Sequence, residues 1–521
     1  MTRKILLLCL FCLLAVPCQA AVSGDIALIP VQNHGRIKPF SAFAHDTLQF
    51  ISGKDAWQGQ NATEFLMGFL AKPQDILKVP FIRVDHPSLK QLLGVGEDEH
   101  AVSALQIEGS LASLEAIVKS SSDKRARDER PSTAEQQAET VYQRYAAVTR
   151  LASGELLTVI PAAGNEAWGS PYFINSPQAA AFQQLVRDYA DHSSELAGEV
   201  GQWISGVNAR LTEEEQSKIR MEAGYTALKP FYRASLCYLL AFILLLIARP
   251  LPQLLGSIAL TAGFVFHTAG LALRALILSR PPVANMYETM IFMDWALVLC
   301  VGFYAIFQKR RAFLSSGALA SVMVMLYANL LPVDQSLDVL APVLRSSYWL
   351  TIHVITIMFS YSLFTLAMAV SHRHLFLSAL GKFSADDDKG SAHVIYRLLQ
   401  AGLIALGAGT ILGGVWANET WGRFWGWDPK ETWAFITFLG YMAILHLRYS
   451  KRLDNFALAV AGVIGFLFVL MTWYGVNFVL GRGLHSYGSG SGGAVWIIWF
   501  LAFEAVFLAF VSLKKKAVNK S

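Results

Sequence analysis

The sequence predicts an all-α polytopic membrane protein of about nine transmembrane helices, preceded by an exported, mainly helical soluble domain. Three observations lead to this fold class. Of the 521 residues, 54% are hydrophobic and only 16% are charged, a composition too apolar for a soluble protein of this size. Apolar stretches follow one another from Phe231 almost to the C-terminus. The chain also begins with a sequence typical of a secretory signal.

Residues 1–20 have the features of a signal peptide. Arg3 and Lys4 precede an apolar run from Ile5 to Val16, and Ala20 supplies a small residue where cleavage could occur. An uncleaved anchor is the alternative, although the apolar run is short for a membrane span. The interpretation as a signal predicts that residues 21–229 form an extracytoplasmic domain.

The predicted extracytoplasmic domain contains only weak motifs. Residues 132–152 and 211–225 have helical composition, whereas residues 120–130 have the composition of a polar linker with mixed charges. Its histidines show no metal-ligand spacing, and we interpret them as ordinary surface or core residues. They are His34, His45, His86, His100 and His192.

Residues 230–521 form the predicted membrane domain. Its candidate spans lie near residues 231–248, 252–277, 287–307, 315–331, 348–371, 393–412, 432–447, 455–479 and 494–512. With the soluble domain outside, the inner loops carry most of the lysine and arginine residues. The positive-inside rule therefore predicts a cytoplasmic C-terminus, with the soluble domain on the outer side. The net charge of +5 is small, so nucleic-acid binding has little support.

Tryptophan is concentrated in residues 416–433, where five of the 13 tryptophans occur. They are Trp416, Trp421, Trp425, Trp427 and Trp433. A membrane-interface belt supplies only one or two tryptophans per helix end, so this density favours a platform for a large planar ligand such as a porphyrin. Asp428, Pro429 and Glu431 predict the start of a helix within the stretch, because Asp suits the N-cap and Glu completes a capping box.

Two histidines flank this stretch on the predicted outer side. His353 falls early in the fifth span, and His485 lies in a glycine-rich outer loop. Two imidazoles beside an aromatic platform are what a low-spin haem iron needs for axial ligation. The alternative for either histidine is a hydrogen bond to a backbone carbonyl or to water.

His446 lies deeper in the predicted membrane domain. It falls about fifteen residues along the helix that begins near Glu431, or roughly 22 Å from the platform. It therefore cannot share an iron with His353 or His485, and an ionisable residue within a span is a candidate functional residue. We expect it to bind a second haem, whose other ligand comes from His267 or from another polypeptide.

Outer cations are candidates for binding the carboxylates of a haem, because Arg forks and Lys charges suit carboxylates at an interface. The alternative for each is an ordinary charge at a helix end. The candidates are Arg345, Arg423, Lys430 and Arg482.

These motifs together resemble a known family. The run Trp421-Gly-x-x-Trp425-x-Trp427-Asp428-Pro429-Lys430-Glu431-Thr432-Trp433 resembles the WWD signature of haem-handling proteins. Its Asp-Pro-Lys-Glu-Thr-Trp ending is similar to the CcsA (ResC) family of cytochrome c biogenesis system II. The segments Pro-x-x-Asn285-x-Tyr287-Glu288 and Tyr348-Trp349-x-x-x-His353 resemble the same family. The resemblance covers roughly residues 231–512.

The resemblance implies a cytochrome c haem lyase (synthetase) subunit that handles haem b. It would promote thioether ligation of haem to the Cys-x-x-Cys-His motif of apocytochrome c, with haem transport across the membrane. His353 and His485 correspond to the two external axial ligands and the catalytic residues, and His446 corresponds to a transmembrane ligand. The stretch 416–433, including Asp428, corresponds to the haem platform.

The resemblance also implies partners. In the family the other transmembrane histidine comes from the CcsB (ResB) component, which this chain lacks, so a separate subunit of that kind is implied. Thiol-reducing proteins are further expected partners. Two other functions stay open, namely a haem exporter or chaperone that delivers haem without ligation, and a membrane electron carrier with structural haem.

Overall fold

The computed structural model describes residues 26–518 apart from 128, 130, 163–165, 309–311, 332, 334, 338–345 and 481–492. The predicted signal peptide, Arg345, Arg482 and His485 therefore lie outside the described residues. The chain divides into two compact units, with the boundary between Leu228 and Lys229. Helices dominate both units and the strands are short, which confirms the predicted all-α polytopic class.

The first unit contains short antiparallel strand pairs between helices. The pairs are Pro30–Asn33 (β1) with Arg36–Pro39 (β2), Ala56–Trp57 (β3) with Gln60–Asn61 (β4), and Ile82–Arg83 (β5) with Ala101–Val102 (β6). The helices are Phe40–Ser52 (α1), Ala62–Ala71 (α2), Pro73–Ile76 (α3), Pro87–Leu92 (α4), Ala104–Glu108 (α5), Leu111–Ala126 (α6), Thr133–Ala152 (α7), Pro177–Ala190 (α8), Leu196–Asn208 (α9) and Glu213–Leu228 (α10).

An aromatic cluster lies in the core of the first unit. The buried Phe81 ring meets Trp57, Phe65 and Phe69 edge-on, with ring centroids 6.1, 5.4 and 6.3 Å away. Edge-to-face contacts of this kind add to the free energy of burying the rings. The cluster joins the β3–β4 turn to helix α2.

The predicted linker at residues 120–130 is wrong, because α6 continues through it to Ala126. Glu135 of α7 accepts hydrogen bonds from Ser120 Oγ and Lys124 Nζ, both at 2.9 Å, and forms a capping box with Ser132. These contacts between α6 and α7 hold a polar segment in a helix that its sequence pattern does not predict. The predicted helices at 132–152 and 211–225 are confirmed as α7 and α10.

The second unit is a helical bundle. Its α-helices are Pro230–Leu245 (α11), Pro250–Leu278 (α12), Met286–Gln308 (α13), Ala312–Leu330 (α14), Ser347–Trp349 (α15), Ile355–Ala379 (α16), Ala385–Trp421 (α17), Pro429–Tyr449 (α18), Asn455–Leu470 (α19) and Ala494–Val518 (α20). Two segments are π-helical. Leu350–Val354 (π1) continues into α16, and Met471–Leu480 (π2) directly follows α19.

Eight helices in the described part of the chain are long and apolar enough to cross a membrane. The predicted span at 432–447 is α18, which has 21 residues but is not among those eight. Its length of roughly 31 Å at 1.5 Å per residue is enough for a crossing. Charged residues in its first turn and His446 and Arg448 in its last turn lower its apolarity. The chain is therefore a multi-pass membrane protein, and the ninth crossing stays a prediction.

Close packing of α16 against α17 depends on glycine. A Cβ at Gly402 would lie 2.6 Å from the Phe364 ring, and one at Gly409 would lie 2.6 Å from Ile357 Cδ1. Small residues let helix backbones approach closely where lipid supplies no hydrophobic driving force. Helix α16 is also extensively buried, including every residue from Ser360 to Ala367. These two helices form the rigid support of the site described next.

Candidate functional site

The tryptophan-rich stretch is built from two helix ends and a short turn. Helix α17 ends at Trp421 with Gly422 as its left-handed C-cap, at a φ of 70°. Asp428 then caps α18, where its carboxylate accepts hydrogen bonds from the backbone N–H groups of Lys430 and Glu431. The predicted helix start is confirmed, including its capping box. Trp416 and Trp421 lie on α17, however, so only residues 422–428 form the loop.

Glu431 holds this loop in place. Its carboxylate accepts hydrogen bonds from the backbone N–H groups of Gly426 at 2.7 Å and Asp428 at 3.3 Å, and it pairs with Arg423 at 3.4 Å. A Cβ at Gly426 would overlap the Arg423 guanidinium. Arg423 therefore supports the loop, and its charge is already balanced by Glu431. The role of Arg423 as a candidate for binding a haem carboxylate stays a prediction.

The loop exposes the rings of Phe424 and Trp427, whereas Trp425 is half-buried. Trp425 and Trp427 lie almost perpendicular with centroids 5.7 Å apart, and each is 6.4 Å from Phe435 of α18. Trp427 is 67% exposed, and its φ of 56° is in the left-handed region. A bulky residue in that region is strained, and such strain is common where a side chain must face a ligand. The buried Asp428 directly precedes the first turn of α18, and Trp433 lies just after that turn.

His353 lies in π1, directly before α16. Its Nδ1 is 2.8 Å from the carbonyl oxygen of Gly409 on α17. Because a carbonyl only accepts hydrogen bonds, Nδ1 carries the proton, and in the neutral ring Nε2 carries the lone pair. Metal-ligating histidines usually show this arrangement, in which the second nitrogen donates to a carbonyl. π-helical segments are also frequent at functional sites.

Gly413 gives the His353 ring its space. A Cβ at this position would lie 2.6 Å from the ring Cε1 and 3.2 Å from Nε2. The Trp416 ring meets the imidazole at an angle of 66°, with centroids 5.8 Å apart. Helix α17 therefore orients His353 through the Gly409 carbonyl, the space at Gly413 and the Trp416 ring. One tryptophan of the predicted platform is thus brought to the predicted ligand.

The second π-helical segment leads toward the other predicted external ligand. π2 ends at Leu480, and the following residues, including His485, lie outside the described part of the chain. Within π2, Trp473 Nε1 donates a 3.1 Å hydrogen bond to Thr289 on α13. Thr289 directly follows Glu288 of the Asn285-x-Tyr287-Glu288 motif, so this contact links that motif to the segment before His485.

His446 lies on an exposed face of α18. Its Nδ1 donates a 2.8 Å hydrogen bond to the Met442 carbonyl, so in the neutral ring Nε2 carries the lone pair, as in His353. Phe435 and Leu439 are exposed on the same helical face, at 40% and 48%. The predicted ligand is therefore accessible, and Phe435 connects its face of α18 to Trp425 and Trp427.

His267 does not have that accessibility. It is fully buried, its Nε2 donates to the Ile291 carbonyl at 2.8 Å, and its Nδ1 accepts from the Tyr238 hydroxyl at 3.1 Å. Both ring nitrogens are thus engaged inside the bundle. The structure does not support His267 as the haem partner of His446.

A buried ion cluster lies at the predicted outer ends of α12 and α13, and sequence reasoning missed its central arginine. Glu288 pairs with Arg274 at 3.0 Å and with Arg280 at 2.7 Å. Arg274 also donates hydrogen bonds to the carbonyls of Gln335 and Ser336. The cluster therefore ties the connection after α14 to α12. Its signal in the sequence is Arg274 itself, a lone arginine within an apolar span, which indicates a buried partner.

Residues 283–485 match the family model described as cytochrome C assembly protein. The chain is 31% identical to Protein NrfI of Wolinella succinogenes over 506 residues. This alignment covers 91% of this chain and 55% of NrfI. It is 35% identical over 294 residues to cytochrome c biogenesis protein CcsA of Synechococcus, covering 47% of this chain and 94% of that protein. CcsA of Manihot esculenta is 32% identical over 275 residues, covering 43% of this chain and 83% of that protein.

The fold and the site define a helical multi-pass membrane protein in which α17 orients a histidine and leads into a tryptophan-rich loop. Because the chain covers almost all of a CcsA protein at 35% identity, it belongs to the CcsA family of cytochrome c biogenesis proteins. The resemblance drawn from the sequence is thereby confirmed. The chain spans about half the length, 55%, of NrfI.

Proposed function

We propose that this protein is the haem-handling subunit of a cytochrome c haem lyase. The observation that carries the proposal is His353, whose Nδ1 proton is held by the Gly409 carbonyl while Trp416 packs against its ring. An imidazole fixed in this tautomer is prepared to bind haem iron through Nε2. His485 is the proposed second external ligand, and the aromatic surface of residues 416–433 is the proposed platform for the haem plane.

Haem b is the substrate in this proposal, and the chemistry is an addition. Each thiol of the Cys-x-x-Cys-His motif adds across one haem vinyl group, so the sulfur bonds to one vinyl carbon and a proton to the other, with no leaving group. The contribution of the protein is to orient the haem and the apocytochrome c. Trp425 and Trp427 bind the ring, while Glu431 keeps the loop that carries them in one conformation.

His446 is the proposed ligand of an inner haem site. Its exposed position on α18 suits a haem shared with a second polypeptide, and we propose that a CcsB-like subunit supplies the other ligand. Haem would then move from this site to the outer platform. The proposal places the first unit and residues 422–428 in the periplasm and the C-terminus in the cytoplasm, in the inner membrane of a bacterium.

The test is covalent cytochrome c formation in cells without their own maturation machinery, expressing this chain with and without a CcsB-like partner. We expect haem-stained cytochrome with the wild type and a loss to background with His353→Ala or His485→Ala, because an alanine side chain cannot bind the iron. His393→Ala is the matched control, since His393 is exposed at the other end of α17. Normal maturation with both outer histidines replaced would falsify the ligation site, and a chain that only delivers haem would become the better interpretation.

A further inference from the structure

An open hollow of about 420 Å³ lies at the end of α18 farthest from the tryptophan-rich loop. This volume is within the range typical of small-molecule sites. Its walls come from α17, the end of α18 and the turn before α19. The lining residues are Tyr396, Arg448, Tyr449, Lys451 and Leu453.

The hollow lies beside His446. Tyr449 follows His446 by three residues on the same helix, so the two side chains lie on one face, one turn apart. Tyr449 is 81% exposed. The face of α18 that carries Phe435, Leu439 and His446 therefore continues directly into the hollow.

The two cations that line the hollow, Arg448 and Lys451, have no carboxylate in direct contact among the described residues. Arg448 donates hydrogen bonds to the Leu453 carbonyl at 2.8 Å and to Asn455 Oδ1 at 2.6 Å, both neutral acceptors. Asn455 in turn donates to the Asp388 carboxylate, so this acidic group reaches Arg448 only through a neutral side chain. The carboxylate of Asp454 is paired instead with Lys515, at 3.6 Å. Among the described residues, no ion pair joins Arg448 or Lys451 to an acidic side chain. Two cations are thus held at the rim, one of them in a fixed orientation.

We propose that this hollow binds the two carboxylates of a tetrapyrrole whose ring lies toward His446. Arg448 and Lys451 match the two negative charges, since Arg forks and Lys ammonium groups both bind carboxylates. Tyr396 and Tyr449 supply aromatic faces for the edge of the ring. The proposal rests on the proposed haem-handling function and adds to it a docking site at the predicted cytoplasmic end of the bundle.

The test uses metal-free protoporphyrin IX, which binds without iron ligation, and its dimethyl ester, which lacks the carboxylates. The intact chain is placed in phosphatidylcholine nanodiscs, so that no anionic lipid competes. Under illumination in air, the bound porphyrin oxidises nearby side chains, and mass spectrometry then locates them. Lys451→Asn removes one cation and suits the left-handed backbone of Lys451, whose φ is 59°. Arg452→Gln is the matched control, because Arg452 does not line the hollow.

We expect protoporphyrin IX to oxidise Tyr449 and His446, and the ester or the Lys451→Asn variant to reduce this oxidation about fivefold, as for loss of one surface ion pair. Arg452→Gln should match the wild type. Equal oxidation by the ester, or in Lys451→Asn, would overturn carboxylate docking. Oxidation confined to Trp425 and Trp427 would overturn the inner site while leaving the outer platform intact. Oxidation at neither place would overturn the inner site and the platform together.

Discussion

At the residue scale, the space beside His353 is as important as the histidine itself. Gly413→Ala should disturb the site although Ala normally stabilises a helix relative to Gly. The added Cβ would lie 2.6 Å from the ring Cε1, so the imidazole must move away from the Gly409 carbonyl. We expect cytochrome c maturation to fall about tenfold, the lower limit for losing a group that orients a metal ligand.

The measurement is haem-stained cytochrome per molecule of membrane-inserted chain, together with the absorption spectrum of the purified haem-bound protein. Gly302→Ala is the matched control, because no atom lies within 4 Å of a Cβ added there on α13. Equal maturation and identical spectra for the two variants would show that α17 does not orient His353.

His45 in the first unit should make α1 less stable at high pH. Burial would lower its pKa, but the hydrogen bonds and negative charges of Asp46 and Asp55 outweigh burial and raise the pKa from 6.5 to about 9. The His45 ring is 3.7 Å from Asp46 and 3.4 Å from Asp55. Since the pKa is higher in the folded state, the stabilisation is complete below pH 6.5 and is lost as the pH rises through about 9.

Hydrogen exchange of residues 40–52 in the intact protein, corrected for intrinsic rates, measures this effect. Protection should decline between pH 6.5 and 9 in the wild type, and His45→Asn should be less protected at pH 6 and should not show that decline. A wild-type profile that matches His45→Asn across this range would rule out a charged His45.

At the element scale, local signals predicted the start of α18 but not the π-helical segments. Asp428, Pro429 and Glu431 form a capping box within four consecutive positions, and such a short-range pattern can be recognised from sequence alone. The π-helical segment brings the His353 ring to Gly409 and Gly413, about sixty residues away in the sequence, and no local pattern indicates such long-range contacts. The sequence therefore predicted which histidine to select, whereas the structure reveals how it is oriented.

Long-range contacts also explain the other corrections. The segment at 120–126 is helical because Glu135 binds Ser120 and Lys124 across two helices. His267 looked available because its partners, Tyr238 and Ile291, lie on other helices. Composition predicted the membrane class and hydropathy predicted the spans, because both depend on the apolar environment more than on specific contacts.

At the scale of the whole molecule, the topology depends on α18. If this helix crosses the membrane, the loop at 422–428 and the turn at 450–454 lie on opposite sides. Charged or polar residues at both ends, Lys430 and Glu431 at one and His446 and Arg448 at the other, make α18 less apolar than its neighbours. Its 21 residues are nevertheless enough to span the hydrocarbon core. The number of crossings in turn fixes the side on which the C-terminus lies.

Cysteine labelling distinguishes these arrangements. In a background without the five native cysteines, we expect a membrane-impermeant maleimide to label Phe424→Cys in intact spheroplasts, since Phe424 is 48% exposed on the loop. Lys451→Cys should react only after lysis, because the positive-inside rule places that arginine- and lysine-rich turn in the cytoplasm. If both cysteines react from the outside, α18 does not cross. In that case His446 and the hollow beside Tyr449 would lie on the same side as the tryptophan-rich loop, and haem would need no path across the membrane between them.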